Sequence, residues 1–263
     1  MIPPLPRYLY KFRSLVGEQR GFTRDIIEHR RLYWPMPAQF NDPFDCAPVV
    51  VIQGSVLKRE SYIRKMVRQE APHLPKYRRK QLVKLGLSRP IRETELLMAD
   101  TQQQIRREIG VCSFSESFDH ILMWAHYADA HRGICLRFNV RLAGPRFALA
   151  FPVTYSPERP VINMVEKRPK ALMEQVLLTK ADFWQYEREW RLFDHVRGPG
   201  LYEFPPPALD GIIFGAAISA EDREEVTSWA SAAKLRSELL QARLDDQLFK
   251  LRVDKIDHQA VRT

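Results

Sequence analysis

The amino-acid sequence predicts an α+β protein with a central mixed or mainly antiparallel β-sheet, flanking helices and a basic helical insertion at 56–109. Short strand-like segments and longer helical patterns occur along the whole chain, which is the basis of this assignment. With 263 residues, 45% of them hydrophobic, the chain can bury one sizeable core. We therefore predict a single domain over 1–263 that carries the insertion within it.

The first fifty residues predict two strands, a helix and a turn. A strand is expected at Arg7–Phe12, where aromatic side chains alternate with other residues, and a second strand at 31–34. Thr23 is expected to cap the helix Arg24–His29 between them. The NDPFD stretch at 41–45 is typical of a tight turn, because Asp precedes Pro.

The middle of the chain predicts a helical region followed by a strand, helix and strand. Three helices are expected between 56 and 109, interrupted at two proline-containing stretches. A strand at Val111–Phe114 follows, then a helix from Asp119, a good N-cap, to Ala130. Gly133 suits the exit from that helix, and it opens a strand that ends at Phe138.

The last part of the chain predicts alternating strands and helices, with Ser219 and Asp222 as a capping box at the start of the last helix. The predicted strands and helix of this part are Ala148–Tyr155, Lys170–Thr179 (helix), Glu189–Asp194, 211–219 and Gln247–Asp254.

The positive charge of the chain is concentrated in one stretch. The net charge is +9 and the pI is near 9.6. Twelve Lys or Arg and two Glu at 58–92 give this stretch +10, so the rest carries −1. Such a block is either the solvated face of a helical insertion or a surface for nucleic acid or another polyanion. The candidate nucleic-acid-binding residues are Lys58, Arg59, Arg64, Lys65, Arg78, Arg79 and Lys80.

Cysteine content and hydropathy predict where the protein resides. Three cysteines, an odd number, argue for free thiols in a reducing compartment. No apolar run approaches the roughly 20 residues of a membrane span, and the chain does not open with a basic and then apolar leader. We expect a cytoplasmic protein without membrane contact.

The YEREWR stretch at 186–191 holds the first candidate catalytic residues. If 187–193 is a strand, Glu187, Glu189 and Arg191 share one face and look outward, opposite Trp190. Two neighbouring carboxylates raise each other's pKa, so that one can act as a base or stabilise a developing positive charge. The alternative is a solvated strand with a Glu189–Arg191 ion pair.

Hydroxyl and imidazole groups lie in the neighbouring motifs. Ser113 and Ser115 share one strand face, where they either hold a ligand or only turn the chain toward the next helix. His126 and Tyr127 lie on that helix, His131 lies at its exit, and the three complete the candidate set. The histidines lack the spacing of a zinc site, so we predict no metal, and capping or hydrogen bonding is the competing role.

Five stretches, in this order, resemble a widespread bacterial domain-of-unknown-function family, number twenty-nine seventy-one, with relatives in phage-resistance loci. They are YKFRS, LYWPMPAQFNDPFDC, CSFSESFDHILMWAHYADAHRGICLRF, WQYEREWRL and GIIFGAAIS. The resemblance runs from about Tyr10 to Glu225, and the family has no established reaction.

The order of an Arg strand, a Ser-x-Ser strand and a Glu-x-Glu strand also resembles the ADP-ribosyltransferases. This resemblance implies a split sheet with NAD as co-substrate. It implies that Arg13 holds an NAD phosphate or ribose, that Ser113 and Ser115 shape the nicotinamide pocket, and that Glu189 stabilises the transition state. Glu187 would orient the acceptor, and His126, Tyr127 and His131 would be further cofactor contacts. The CSFSE motif, in place of the usual Ser-Thr-Ser, and the long insertion depart from that pattern.

The leading hypothesis is thus an NAD-dependent ADP-ribosyltransferase-like enzyme that acts on a nucleic acid or other anionic target, with a role in phage defence. One alternative is a metal-dependent nuclease that uses Glu187, Glu189 and Asp45. Another is a nucleic-acid-binding protein without catalysis, based on the charge asymmetry alone.

Overall fold

The computed structural model describes residues 3–88, 106–166 and 169–256. It confirms an α+β fold, with a mixed eight-stranded sheet flanked by helices. Contacts divide the chain into two compact units, a larger one of 1–36, 109–155 and 182–263, and a smaller one of 37–108 and 156–181. No helix among the described residues is both long and apolar enough to cross a membrane.

The strands are β1 (Tyr8–Arg13), β2 (Arg31–Trp34), β3 (Val49–Val51), β4 (Gly110–Ser115), β5 (Ile134–Asn139), β6 (Phe151–Pro152), β7 (Thr154–Ser156), β8 (Val161–Asn163), β9 (Thr179–Ala181), β10 (Glu189–Asp194), β11 (Gly200–Glu203), β12 (Leu209–Phe214), β13 (Glu238–Leu244) and β14 (Leu251–Lys255). The α-helices are α1 (Glu18–His29), α2 (Val56–Glu70), α3 (Lys76–Ser88), α4 (Ile121–Tyr127), α5 (Pro169–Leu178) and α6 (Ala220–Ala232).

The large sheet lies entirely in the larger unit, and its strand order is β14-β13-β12-β5-β1-β4-β10-β6. Every pair in it is antiparallel except β12 and β13, which are parallel and joined through α6. Each face of the sheet is covered by its own hydrophobic cluster. One cluster includes Leu9, Phe114 and Trp190, and the other includes Tyr10, Phe12 and Trp124.

Several helix ends differ from the sequence prediction. Helix α1 begins at Glu18, so Thr23 is inside the helix and does not cap it. The Thr23 hydroxyl instead donates to the carbonyl of Gln19, one turn earlier. Helix α4 begins at Ile121 after His120, so Asp119 is not its N-cap. Ser219 does cap α6, because its hydroxyl accepts the N–H of Asp222 at 3.0 Å.

The smaller unit holds two helices of the predicted insertion, α2 and α3. It also contains the parallel pair β3–β8 and a small core around Val50, Ile162 and Val176. The third helix predicted before residue 109 lies largely outside the described residues, as do Arg89 and Arg92. The single-domain assignment stays a prediction.

Candidate functional site

The three strands that carry the sequence motifs are neighbours in the sheet, in the order β1-β4-β10. Tyr10 pairs with Ser115, and Ser115 pairs with Glu189 on its other side. Ser113 pairs with Arg191 in the same register. Residues directly opposite in an antiparallel sheet point to the same face. The fold therefore brings together residues that lie 74 to 105 positions apart in the sequence.

Strand alternation separates this polar row from the core. Ser113, Ser115, Glu189 and Arg191 share one face of β4 and β10. The residues between them, Cys112, Phe114, Trp190 and Leu192, are packed in the hydrophobic cluster on the opposite face. The predicted alternation of both strands is confirmed. Burial raises the pKa of the Cys112 thiol, as expected for a sulfur on the apolar face.

Glu189 and Arg191 form a buried ion pair, so the prediction that they face solvent is wrong. The Arg191 Nε and Nη2 atoms donate to the two carboxylate oxygens of Glu189 at 2.8 and 2.9 Å. The Arg191 side chain is 0% exposed and that of Glu189 is 5% exposed. They lie on the same face of the sheet as Tyr10, and that face is covered by the hydrophobic cluster around Tyr10, Phe12 and Trp124 and is not open to solvent. The bidentate contact with the guanidinium fixes the orientation of the carboxylate.

Glu187 is not part of β10, which begins at Glu189. The expectation that strand alternation places Glu187 and Glu189 on one face is therefore wrong. Glu187 is the last residue of a 3-10 helix, Asp182–Glu187. Arg188, which has a positive φ of 44°, separates this helix from β10. Glu187 is nevertheless buried, and its Oε1 accepts the Tyr127 hydroxyl at 2.6 Å. Tyr127 is thus in contact with a candidate catalytic carboxylate.

The two serines have different surroundings. The Ser115 hydroxyl donates to the carbonyl of Glu187 at 2.7 Å and accepts the N–H of Ser117 at 3.1 Å. It therefore holds the Glu187 segment against the end of β4. Ser113 is half-buried on the same face. Of the two hydroxyls, that of Ser113 is better placed for a ligand.

Arg13 is not brought to this face. Its Nε donates to the Thr23 hydroxyl at 3.2 Å and its Nη2 donates to Gln19 Oε1 at 2.9 Å. By alternation it lies on the side of Lys11, whose Nζ contacts Cys112. The side chain of β1 that faces Ser115 is Tyr10, and Arg137 of β5 lies opposite Tyr10. Burial raises the pKa of Tyr10 to about 12, which keeps its hydroxyl protonated.

A group of aromatic and imidazole rings adjoins Glu187. Tyr186 stacks on His120 with ring centroids 5.2 Å apart and lies 6.2 Å from His126. His126 is exposed and 6.4 Å from the Tyr127 ring. Sequence reasoning missed His120 and Tyr186. The stretch W-x-Y directly before the Glu-x-Glu motif was the available signal.

His131 lies away from this group. Its ring is nearly parallel to that of Trp124 at 6.1 Å, and burial lowers its pKa. Asp129, Ala130 and His131 all have positive φ, so His131 belongs to the turn that ends α4 and leads to β5. This placement favours the structural role for His131.

The predicted nucleic-acid-binding residues lie on α2 and α3. Lys58, Arg64, Lys65, Arg78 and Lys80 are exposed, while Arg59 and Arg79 are half-buried. Glu60 pairs with Arg64, and Arg59 donates to the carbonyl of Leu87. The Arg78 guanidinium carbon lies 5.6 Å from the ring centroid of Tyr77, which is exposed. The two helices therefore present a cationic surface with one aromatic ring.

The residues of the proposed metal-dependent nuclease are divided between the units. Glu187 and Glu189 belong to the larger unit, whereas Asp45 belongs to the smaller one and pairs with Lys180 there, at 3.7 Å. Within the described ranges, no cluster of three or more His, Cys, Asp or Glu side chains could hold a metal ion.

The chain matches a protein family over part of its length. No curated protein and no solved structure matches the chain. A family model described as a protein of unknown function (DUF2971) matches residues 123–192. This stretch contains α4, β5 and β10, with Tyr127, Glu187 and Glu189. The match confirms the first of the two resemblances found in the sequence, over residues 123–192.

Proposed function

We propose that the protein is an NAD-dependent ADP-ribosyltransferase-like enzyme that modifies a nucleic acid or another anionic target. One observation carries this proposal: the register of β4 and β10 sets Ser115 opposite Glu189 and Ser113 opposite Arg191. Two carboxylates and two hydroxyls of separate motifs are thus gathered at one end of neighbouring strands. The resemblance to the transferases assigns its nicotinamide pocket and its catalytic glutamate to these motifs.

The chemistry that such a site would perform is cleavage of a glycosidic C–N bond. The bonding electrons leave with the nicotinamide nitrogen, and the ribose carbon becomes an oxocarbenium-like cation. A fixed, buried carboxylate stabilises such a cation more than water does, because it needs no reorganisation. The Arg191 clamp fixes Glu189 in this way. An acceptor nucleophile then attacks the same carbon and loses its proton.

The remaining groups have supporting roles in this proposal. Glu187 accepts the Tyr127 hydroxyl at 2.6 Å, and in this proposal it is the carboxylate that orients or deprotonates the acceptor. Ser115 positions Glu187 through its backbone. Ser113 is the hydroxyl assigned to the ligand. Arg13 has no role in the proposed mechanism, since its side chain lies on the other face of the sheet.

The test is incubation of the purified protein with labelled NAD and with RNA, DNA and protein acceptors. Transfer to an acceptor, or release of nicotinamide, is expected from the wild-type protein, with a loss of at least about a hundredfold in Glu189→Gln. Glu224→Gln, at an exposed position of α6, is the matched control and should retain activity. The proposal fails if neither transfer nor hydrolysis depends on Glu189 while circular dichroism shows that the variant is folded.

A second candidate function, nucleic-acid binding without catalysis, is favoured by the cationic surface of α2 and α3. Phosphate contacts by exposed Lys and Arg give binding that weakens steeply with salt, because counterions are released. Binding should then survive Glu189→Gln unchanged. A fluorescence-anisotropy titration with single-stranded RNA at about 50 and 200 mM salt separates the cases. Salt-independent binding would contradict this candidate.

A further inference from the structure

A separate cleft in the larger unit is lined by three arginines. It has a volume of about 430 Å³ and is bordered by Arg31, Arg146, Arg197, Leu201 and Glu203. This volume is within the range of small-molecule sites, about 300–1,000 Å³. The cleft shares no lining residue with the Glu187 and Glu189 site.

Two of these arginines are held by an aromatic pair. Trp34 of β2 and Tyr202 of β11 stack with ring centroids 4.1 Å apart and are both buried. The Arg146 guanidinium carbon lies 4.8 Å from the Tyr202 ring centroid, and that of Arg197 lies 4.4 Å from it. Arginine stacks readily on aromatic faces while its N–H groups remain available. These contacts favour the observed positions of the two exposed guanidiniums in the absence of a ligand.

Among the described residues, neither Arg146 nor Arg197 forms an ion pair, because the nearby carboxylates contact other groups. Asp25 pairs with Arg31, and Glu203 faces Arg31 across the β2–β11 ladder. Asp194 lies near Arg146, but its Oδ1 accepts the N–H groups of Val196 and Arg197. The Arg197 Nη2 atom donates to the carbonyl of Leu201 at 2.7 Å. Arg146 and Arg197 are therefore the two cations of the cleft that an anion can neutralise.

We propose that this cleft binds a phosphate group, held in bidentate fashion between Arg146 and Arg197. Planar guanidinium groups match the oxygens of phosphate, and charge-assisted bonds of this kind are about twice as strong as neutral ones. The phosphate belongs either to a small ligand such as a nucleotide or to a nucleic-acid strand. The inference does not rest on the proposed transferase activity.

Isothermal titration calorimetry at constant ionic strength tests the proposal, with pyrophosphate, ADP and a short single-stranded oligonucleotide as separate probes. At least one probe should bind the wild-type protein, and Arg146→Gln and Arg197→Gln should each weaken it at least about tenfold. Arg141→Gln, an exposed arginine of the same unit, is the control and should bind within about twofold of wild type.

The probes also identify the source of the phosphate. Binding of pyrophosphate and ADP that is sensitive to both variants indicates a small ligand, whereas sensitive binding of the oligonucleotide alone indicates a phosphodiester backbone. Arg146→Lys, which keeps the charge but loses the planar fork, replaces Arg146→Gln if that variant does not fold by circular dichroism. Failure of every probe to bind, or binding that is unchanged in folded Arg146 and Arg197 variants, overturns the proposal.

Discussion

The buried pair of Glu189 and Arg191 makes a measurable prediction at the scale of single residues. Glu189→Gln removes a charged, bidentate partner from a guanidinium that has no exposed surface. Breaking a buried pair from one side costs more than the pair contributes, because the remaining charge stays in a poorly solvated site. We expect a loss of about 3 kcal/mol in the free energy of unfolding, measured by urea denaturation.

An exposed pair in the same unit provides the comparison. Arg243 and Asp254 pair across β13 and β14 with both side chains mostly exposed. Asp254→Asn should change the free energy of unfolding by no more than about 1 kcal/mol. If Glu189→Gln lowers the free energy of unfolding by no more than Asp254→Asn does, the buried pair contributes no more to stability than an exposed one, which contradicts the prediction.

Two glycines of the larger unit predict opposite effects of the same substitution. A Cβ at Gly133 would lie 2.2 Å from the carbonyl oxygen of Arg13, whereas a Cβ at Gly21 in α1 meets nothing within 4 Å. Gly133→Ala should therefore destabilise the protein by at least about 2 kcal/mol. Gly21→Ala should stabilise it by about 0.5–1 kcal/mol, since alanine favours the helix. Thermal unfolding of both variants checks this pair, and equal shifts in Tm would contradict it.

At the scale of elements, local patterns predicted some strands well and missed others. The bounds of β10 agree with the sequence, because Trp190 and Leu192 alternate with polar residues. Strand β13 was not predicted, since its residues, ELLQARL, are mostly helix formers. It is a strand because β12 and β14 pair with it on both sides. Such pairing between distant segments overrides local propensity and cannot be read from one segment.

The candidate site was also predictable within single strands but not between them. Alternation within a strand placed Ser113 with Ser115, but it did not tell which residues of β1 share their face. That depends on the register of β1 against β4, which brings Tyr10 and not Arg13 to Ser115. Likewise, the positive φ of Arg188 separates Glu187 from the strand, and no residue-type signal indicates it. A shift of one residue in either place reverses which side chains meet.

The turn of the β13–β14 hairpin predicts a pH-dependent element. The backbone N–H groups of Gln247 and Leu248, aided by Arg252, lower the pKa of Asp245 from 3.8 to about 2. A lowered folded-state pKa contributes stability that is complete above the unfolded value and is lost as the pH falls through the folded value. The turn should therefore loosen between about pH 4 and pH 2.

Amide hydrogen exchange at Gln247 and Leu248 measures this loosening. Protection of both amides should fall over that pH interval in the wild-type protein. In Asp245→Asn, which has no titrating carboxylate at this position, protection should be lower from the start and should change little with pH. A pH profile that is identical in the two proteins would contradict the role of Asp245.

For the whole molecule, the distribution of charge says more about where an anionic partner binds than the net charge does. Ten of the chain's basic residues, with two glutamates, lie within 58–88 on or near α2 and α3. None of the residues of α2 is buried. The surface of the smaller unit is therefore strongly cationic, while the rest of the sequence is close to neutral. An anionic partner should recognise the helices and not the net charge of the protein.

Two variants with the same loss of charge separate these possibilities. In one, exposed Lys58, Lys65 and Lys80 of the helices become Gln; in the other, exposed Arg141, Lys234 and Arg236 of the larger unit become Gln. Each loses three positive charges. If the helices contact phosphates, the first variant should bind single-stranded RNA more weakly. Its slope of log affinity against log salt should also be reduced by up to about 2.

The second variant should keep nearly the wild-type slope, because counterion release counts only the phosphates that are actually neutralised. Anisotropy titrations over a range of salt concentrations give both slopes. Equal reductions in the two variants would mean that the anion responds to overall charge, and the helical surface would then have no special role. A reduction confined to the helix variant would assign partner selection to the smaller unit, independently of the role of Glu187 and Glu189.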